Sequence, residues 1–167
     1  MPRPKRRGIQ DDAFDDPLSN YSPPTYEDTL HRALCEDPIT QMKHQPFTCI
    51  EASSSIIQVL KQMEQKNIAC VMVTENDRLA GIFSERDVLD KVADRFEEIR
   101  DQPVRTVMTP EPVAVRGTDT LAKALAVMAV GGFRHVPILD PDDKVIGMIG
   151  PRRVNTYLRT HLGKAEA

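Results

Sequence analysis

Ser84 and Asp87 are the side chains whose types and spacing best suit them to chemistry. A serine followed three places on by a carboxylate, directly after the apolar run Leu79 to Phe83, reads as a strand running into a helix start. Ser84 would be the N-cap and Asp87 the third helical residue. A helix start offers unpaired backbone N–H groups and partial positive charge, so it suits an anion. Asp87, facing the same opening, would accept two hydroxyl hydrogen bonds, as from the 2′ and 3′ oxygens of a ribose. A lone Ser-x-x-Asp is most often only a capping device, so its meaning depends on the elements that hold it.

Those elements come in duplicate. From Pro38 the chain repeats itself at a spacing of about 65 residues. Pro38 aligns with Pro103, Ile50 with Val115, Leu60 with Leu125, Met63 with Met128 and Val71 with Val136. After a one-residue insertion in the second copy, Gly81 aligns with Gly147, Arg86 with Arg152 and Val88 with Val154. Each copy opens on an extended piece, Phe47 to Ile50 or Val113 to Val115. An amphipathic helix follows, since Ile56, Val59, Leu60 and Met63, and likewise Leu121, Ala124, Leu125 and Met128, share one face. Ser53 or Ser54, and Thr118 or Asp119, are the expected N-caps. Asn67 and Gly131-Gly132 suit left-handed C-terminal positions. Paired strands then run from Ala69 to Val73 and Leu79 to Phe83, and from His135 to Leu139 and Val145 to Ile149. Polar turns at Glu75-Asn76-Asp77 and Asp140 to Asp143 join them. Closing helices are expected from Glu85 to about Arg95 and from Arg152 to about His161. The fold class is α/β (α+β): two tandem β-α-β-β-α repeats packed sheet to sheet, because one unit alone is too small to bury its faces.

Composition narrows the function classes. The chain has 167 residues, of which 40% are hydrophobic, enough for a core. No apolar run approaches a membrane span of ~18 residues, and the N-terminus lacks a secretory signal, so a cytoplasmic location is expected. Cys35, Cys49 and Cys70 form no close-spaced pair, and buried thiols are expected at Cys49 and Cys70. A formal charge of -3, 5% aromatics and no tryptophan argue against nucleic acid as a partner. His31, His44, His135 and His161 are scattered without metal-ligand spacing. No nucleophile elbow or lysine-bearing phosphate loop is present, so no enzyme activity and no prosthetic group are expected. Residues 1–24 read as a disordered tail, basic at Arg3 to Arg7 and acidic at Asp11, Asp12, Asp15 and Asp16. Residues 25–37 hold a helix from Tyr26 to about Cys35, opened by Thr25-x-x-Asp28. Residues 38–98 and 99–162 are the repeats, and residues 163–167 a short C-terminal tail.

Three motifs make the pattern resemble the CBS-domain pair, or Bateman module, of the stand-alone tandem type. They are Val107-Met108-Thr109-Pro110 as a lead-in, Gly132 to Asp140 (Gly-Phe-Arg-His-Val-Pro-Ile-Leu-Asp) as a second-strand passage, and Gly81 to Asp87 as the ribose motif. The resemblance covers about Pro38 to Leu162. It implies an adenine nucleotide as regulatory ligand (AMP, ADP, ATP, NAD(H) or S-adenosylmethionine) and a homodimer formed through the CBS helices. The implied cleft pairs Ile82, Ser84, Arg86 and Asp87 of the first repeat with Val113, Ala114, Arg134, His135 and Pro137 of the second. Asp87 would hold the ribose, and Ser84 with the opening amides would approach a phosphate. Ile82, Val113, Ala114 and Pro137 would wall an adenine, and Arg134 and His135 would face phosphates. Adjacent strand residues point to opposite faces, so one of those two is expected to reach the ligand.

The second copy departs from the motif, with Gly150 in place of the serine and Arg153 in place of the aspartate. This cleft is expected to bind no nucleoside in the family's manner. Pro151 still makes a sound first helical residue. Arg152 and Arg153 are expected as a solvated basic turn, with phosphate or an acidic partner as the alternative. Two functions remain open: a sensor that binds one nucleotide and modulates a protein partner or its own oligomer, and a ligand-free dimerisation or docking module with the N-terminal helix and tail as docking element.

Overall fold

A computed structural model describes residue 22, residues 24–43 and residues 45–165. The expected N-terminal tail lies outside the described residues apart from Ser22 and Pro24. The first helix, α1 (Thr29–Glu36), begins later than expected: Asp28 is its N-cap and accepts the His31 N–H at 2.7 Å. The carboxylate read as the far end of a capping box at Thr25 is itself the cap, a position where Asp and Asn lead.

The first repeat comprises β1 (Cys49–Glu51), α2 (Ile56–Lys66), β2 (Cys70–Glu75) and β3 (Arg78–Ser84). It closes on α3 (Glu85–Asp87), a π turn over 88–92, a 3-10 turn over 93–95, and α4 (Phe96–Ile99). The second comprises β4 (Thr109–Pro110), β5 (Val115–Arg116), α5 (Leu121–Gly131), β6 (Val136–Leu139), β7 (Val145–Ile149) and α6 (Pro151–Ala165). β1 runs parallel to β2 and, equivalently, β5 to β6, whereas β2 and β6 pair antiparallel with β3 and β7. The duplication reaches fine detail, since both strand pairs shift register at equivalent points, Val73/Thr74 and Ile138/Leu139.

Local chemistry sets the element ends. Asn67 (φ 49) and Gly132 (φ 65) close α2 and α5 in the left-handed region. Asn76 and Asp77 both have positive φ, so a two-residue mirror-type turn joins β2 to β3. The N-caps of α2 and α5 are Ser55 and Thr120, a residue or more beyond those expected. Asp119 is instead committed to the Arg116 N–H (2.8 Å) and Lys123 Nζ (2.7 Å).

The closing segment of the first repeat is not the regular helix that periodicity suggests. Its Ala93 N–H reaches back five residues to the Val88 carbonyl, a π turn. Its counterpart α6 is regular over fifteen residues.

The repeats are interlocked by their lead-ins. At the head of the first repeat, Ile39 donates its N–H to the Asp119 carbonyl (2.8 Å) and Thr40 to that of Gly117 (3.1 Å), both in the second repeat. Ile39, 1% exposed, lies in the second core with Val115, Leu121, Val136, Ile138 and Ile149. At the head of the second repeat, Val104 donates to the Ser54 carbonyl (2.8 Å) and sits in the first core with Ile56, Val59, Val71 and Phe83. β4 then adds a fourth strand beside β3, pairing Ile82 with Thr109 and Gly81 with Pro110. The apolar side of α1 is spent inside the molecule: Ala33 is in the second core, and Leu30 and Leu34 pack against it. The apolar face of α1 therefore already has a partner within the chain.

Candidate functional site

β3 delivers Ser84 and Asp87 to the seam where β4 joins the first sheet. Ser84 is the N-cap of α3, and its capping box with Asp87 is complete in both directions. The Ser84 N–H and hydroxyl donate to Asp87 Oδ2 at 2.9 and 2.7 Å. Two residues that sequence reasoning did not single out occupy the other oxygen. Lys91 Nζ donates to Oδ1 at 2.7 Å and the Thr109 hydroxyl at 2.8 Å. Lys91 also reaches the Met108 carbonyl (3.3 Å) and Thr109 Oγ1 (3.2 Å), which ties the helix of one repeat to the lead-in of the other. A lysine four residues after an aspartate is a familiar helical pair and was legible. Thr109 was not, because it arrives across a strand pairing between the repeats.

Asp87 is 6% exposed. Burial pushes its carboxyl up, but the hydrogen bonds from Lys91, Ser84 and Thr109 outweigh that and hold it below the usual carboxylate range. It is therefore an anion at neutral pH whose two oxygens accept four hydrogen bonds from its own chain. A ribose would reach it by exchanging with the Lys91 and Thr109 donors. Cys70, opposite Ser84 on β2, is buried; burial first and the Asp87 charge second push its thiol up to about 12. Cys49, by contrast, is exposed rather than buried as expected.

The other expected site residues have varied surroundings. Ile82 is partly buried on β3 beside Thr109. Arg86 is exposed and lies 3.5 Å from Asp90. Val113 is exposed, and Ala114, its neighbour, helps line a cavity of about 310 Å³ with Leu79, Pro112 and Leu139. Arg78, Glu111 and Asp143 complete its walls. Leu79 and Ser84 are separated by most of β3, about 17 Å at the usual strand rise, so this cavity is at the far end of the strand from Asp87. Pro137 is buried in β6 opposite Met148.

Arg134 is exposed, and His135 is half-buried just ahead of β6, against Gly150. A Cβ on Gly150 would come within 2.8 Å of His135 Cδ2, so the imidazole fills the space a serine would need there. The first repeat has the small pair Cys70 and Ser84 where the second has His135 and Gly150. Burial lowers the His135 pKa, with Glu85 raising it and Arg134 lowering it further, so the ring is neutral at pH 7. Arg153 contradicts the expected solvated turn. It is 6% exposed, and burial pushes its guanidinium down from its usual range.

The CBS domain family model matches residues 39–94 and 104–159. Among relatives, the CBS domain-containing protein CBSCBSPB1 of Arabidopsis thaliana is 25% identical over 115 residues, which are 68% of this chain and 21% of that protein. The chain thus spans about a fifth of that relative's length. A CBS-domain containing protein of Agrobacterium tumefaciens, known as a crystal structure, is 26% identical with a TM-score of 0.60, covering 67% of this chain and 89% of that one. A CBS domain protein of Pyrobaculum aerophilum, solved as a complex with AMP, is 22% identical with a TM-score of 0.65, covering 78% of this chain and 99% of that one.

Proposed function

The chain belongs to the CBS-domain family and carries that domain twice in tandem, and from this premise we propose that it is a non-catalytic regulatory module binding one adenine nucleotide through Asp87. The observation that carries this reading is the ionised, buried Asp87 at the seam between the repeats, held by Ser84 from its own repeat and Thr109 from the other's lead-in. AMP in a solved relative of the same fold supports the choice of ligand. Ribose hydroxyls replace Lys91 and Thr109 on Oδ1. The freed Lys91 ammonium then lies near the phosphate, and the β3–β4 junction shifts with it. Ligand binding alters a partner, or a second copy of the chain, by as much as it prefers the rearranged seam.

We place the homodimer on the helical side, where Leu89 is 72% exposed beside an open groove lined by Leu60, Met63, Ile68 and Val88. A cytoplasmic setting agrees with three free cysteines. Among the described residues no helix is long and apolar enough to cross a membrane.

Calorimetric titration with AMP, ADP, ATP, NADH and S-adenosylmethionine tests the reading. One site per chain is expected, and Asp87→Ala should weaken it by roughly 1–3 kcal/mol. Two equivalent sites, or unchanged affinity in the variant, overturns the assignment. Native mass spectrometry of gently purified protein reports co-purified ligand and subunit number together. One observation favours a second reading, a ligand-free docking module: Asp87 is already saturated within the chain. That reading expects no thermal stabilisation across the nucleotide panel.

A further inference from the structure

The two repeats fold alike, but their helical faces differ in character. In the first repeat, α2 and the closing segment flank the open groove lined by Leu60, Met63, Ile68, Val88 and Leu89. The charged residues on its walls, Glu64 and Glu85, are both acids and both exposed. Among the described residues neither is in an ion pair. The lysines of α2 stay off these walls, and Lys66 donates to the Thr48 hydroxyl at 3.4 Å.

At the aligned positions the second repeat has the opposite character. Ala129 stands for Glu64, Val130 for Gln65, Phe133 for Ile68 and Asn155 for Leu89. Lys123 is the one charged residue of α5, which is otherwise apolar on every side. A helix of that kind is normally covered all round. Yet Val130 is 91% exposed and Phe133, just beyond the helix, 41%. Although α1 packs on the second core, it leaves Ala126, Ala129 and Val130 open. Beside them, Arg152 and Arg159 are exposed on the face of α6 that carries Asn155. The sequence of α6 contains no carboxylate, and among the described residues neither arginine is in an ion pair.

Clustered exposed apolar residues mark an interface, and here the two faces complement each other. A second copy related by a two-fold axis brings faces together twice. Pairing like repeats would set acids against the same acids, arginines against the same arginines, and a groove against a groove. Pairing unlike repeats sets acids against arginines and gives each groove an apolar edge to receive. We propose that two copies associate in this opposed orientation. The groove of each receives the Val130–Phe133 edge of the other, and Glu64 and Glu85 face Arg152 and Arg159 of the partner subunit. This rests on the reading that the helical side forms the homodimer, and adds which face meets which. Glu85 directly follows Ser84, so the interface borders the Asp87 seam.

Charge reversal in the full chain, read by sedimentation velocity and native mass spectrometry, tests the pairing. Glu64→Lys with Glu85→Lys reverses one face, and Arg152→Glu with Arg159→Glu the other. All four residues are exposed. The wild-type chain should be a homodimer. Either reversal alone sets like charges together, and should weaken the dimer about tenfold or more. All four substitutions in one chain restore opposite charges and should return the dimer toward wild-type affinity. If Glu85→Lys disturbs the start of α3, Glu64→Lys alone carries the first arm. Pairing of like repeats predicts otherwise, because reversing one face changes both sides of its contact alike and leaves affinity unchanged. A dimer that neither reversal weakens, or that the fourfold variant does not recover, overturns the opposed orientation and leaves the homodimer standing. A monomeric wild-type chain overturns the homodimer and the orientation with it.

Discussion

At the scale of single residues, Asp87 shows how a carboxylate can be buried and still ionised. Its four hydrogen-bond donors, one of them the Lys91 ammonium, favour the charged form more than burial opposes it. The consequence for stability has a definite sign. The folded-state pKa lies below the unfolded one, so the unfolded chain takes up the proton first as pH falls. The contribution is complete above the ordinary carboxylate range and disappears as pH drops through the folded value. Asp87→Asn should therefore cost about 1–3 kcal/mol at neutral pH, and the gap from wild type should close in acid. Urea denaturation at several pH values measures it. A gap that stays constant down to the acid limb would mean that packing, not ionisation, makes the difference. The serine cap and its carboxylate were legible in the sequence because their spacing is local. Lys91, four residues beyond Asp87, was within reach of the same local reasoning, but Thr109 as a donor and the burial of Arg153 were not. Those two depend on where β4 and β7 bring the backbone, and spacing along the chain does not encode that.

At the scale of elements, periodicity located nearly every strand and helix, since the apolar faces that define the cores are the signal it detects. It missed by a residue or more at the caps, where Asp28, Ser55 and Thr120 prevailed over equally polar neighbours. It also failed over 85–99, where the closing segment passes through α, π and 3-10 turns. Two glycines show different reasons for the same residue type. Gly132 has nothing within 4 Å but holds φ +65, so its constraint is backbone conformation. Gly81 has no such φ, but a Cβ there would fall 2.4 Å from Met108 Sδ and 3.0 Å from the Thr109 carbonyl, so its constraint is the close approach of β4. Gly132→Ala should cost about 1 kcal/mol and leave nucleotide affinity unchanged. Gly81→Ala should cost about 1–3 kcal/mol and also weaken nucleotide binding, because it displaces Thr109 from Asp87. Denaturation and titration of both variants separate the two effects. Equal affinity losses would remove the special role given to the β3–β4 junction.

At the scale of the whole molecule, there are two cores and one fold. Each repeat contributes its own strands and first helix to its own core, but the lead-ins cross over. Ile39 opens the first repeat and is buried in the second core, whereas Val104 opens the second and is buried in the first. Neither core is complete without chain from outside its own repeat, so loss of one should expose apolar surface of the other. That coupling is also what would let a ligand at the Asp87 seam be felt in the second repeat, since the seam includes the segment that ends at Thr109. Ile39→Ala tests it. The side chain is 1% exposed, so truncation should cost about 2–5 kcal/mol, the range for removing a buried aliphatic group. In chain order the change is at the entrance to the first repeat, and in space it is in the core of the second. If unfolding is one cooperative event, hydrogen-exchange protection should fall by the same free energy at Val71–Val73 in β2 and at Val136 and Ile138 in β6. Protection lost in β6 alone would mean that the repeats unfold separately and that the crossed lead-ins tether them without coupling them.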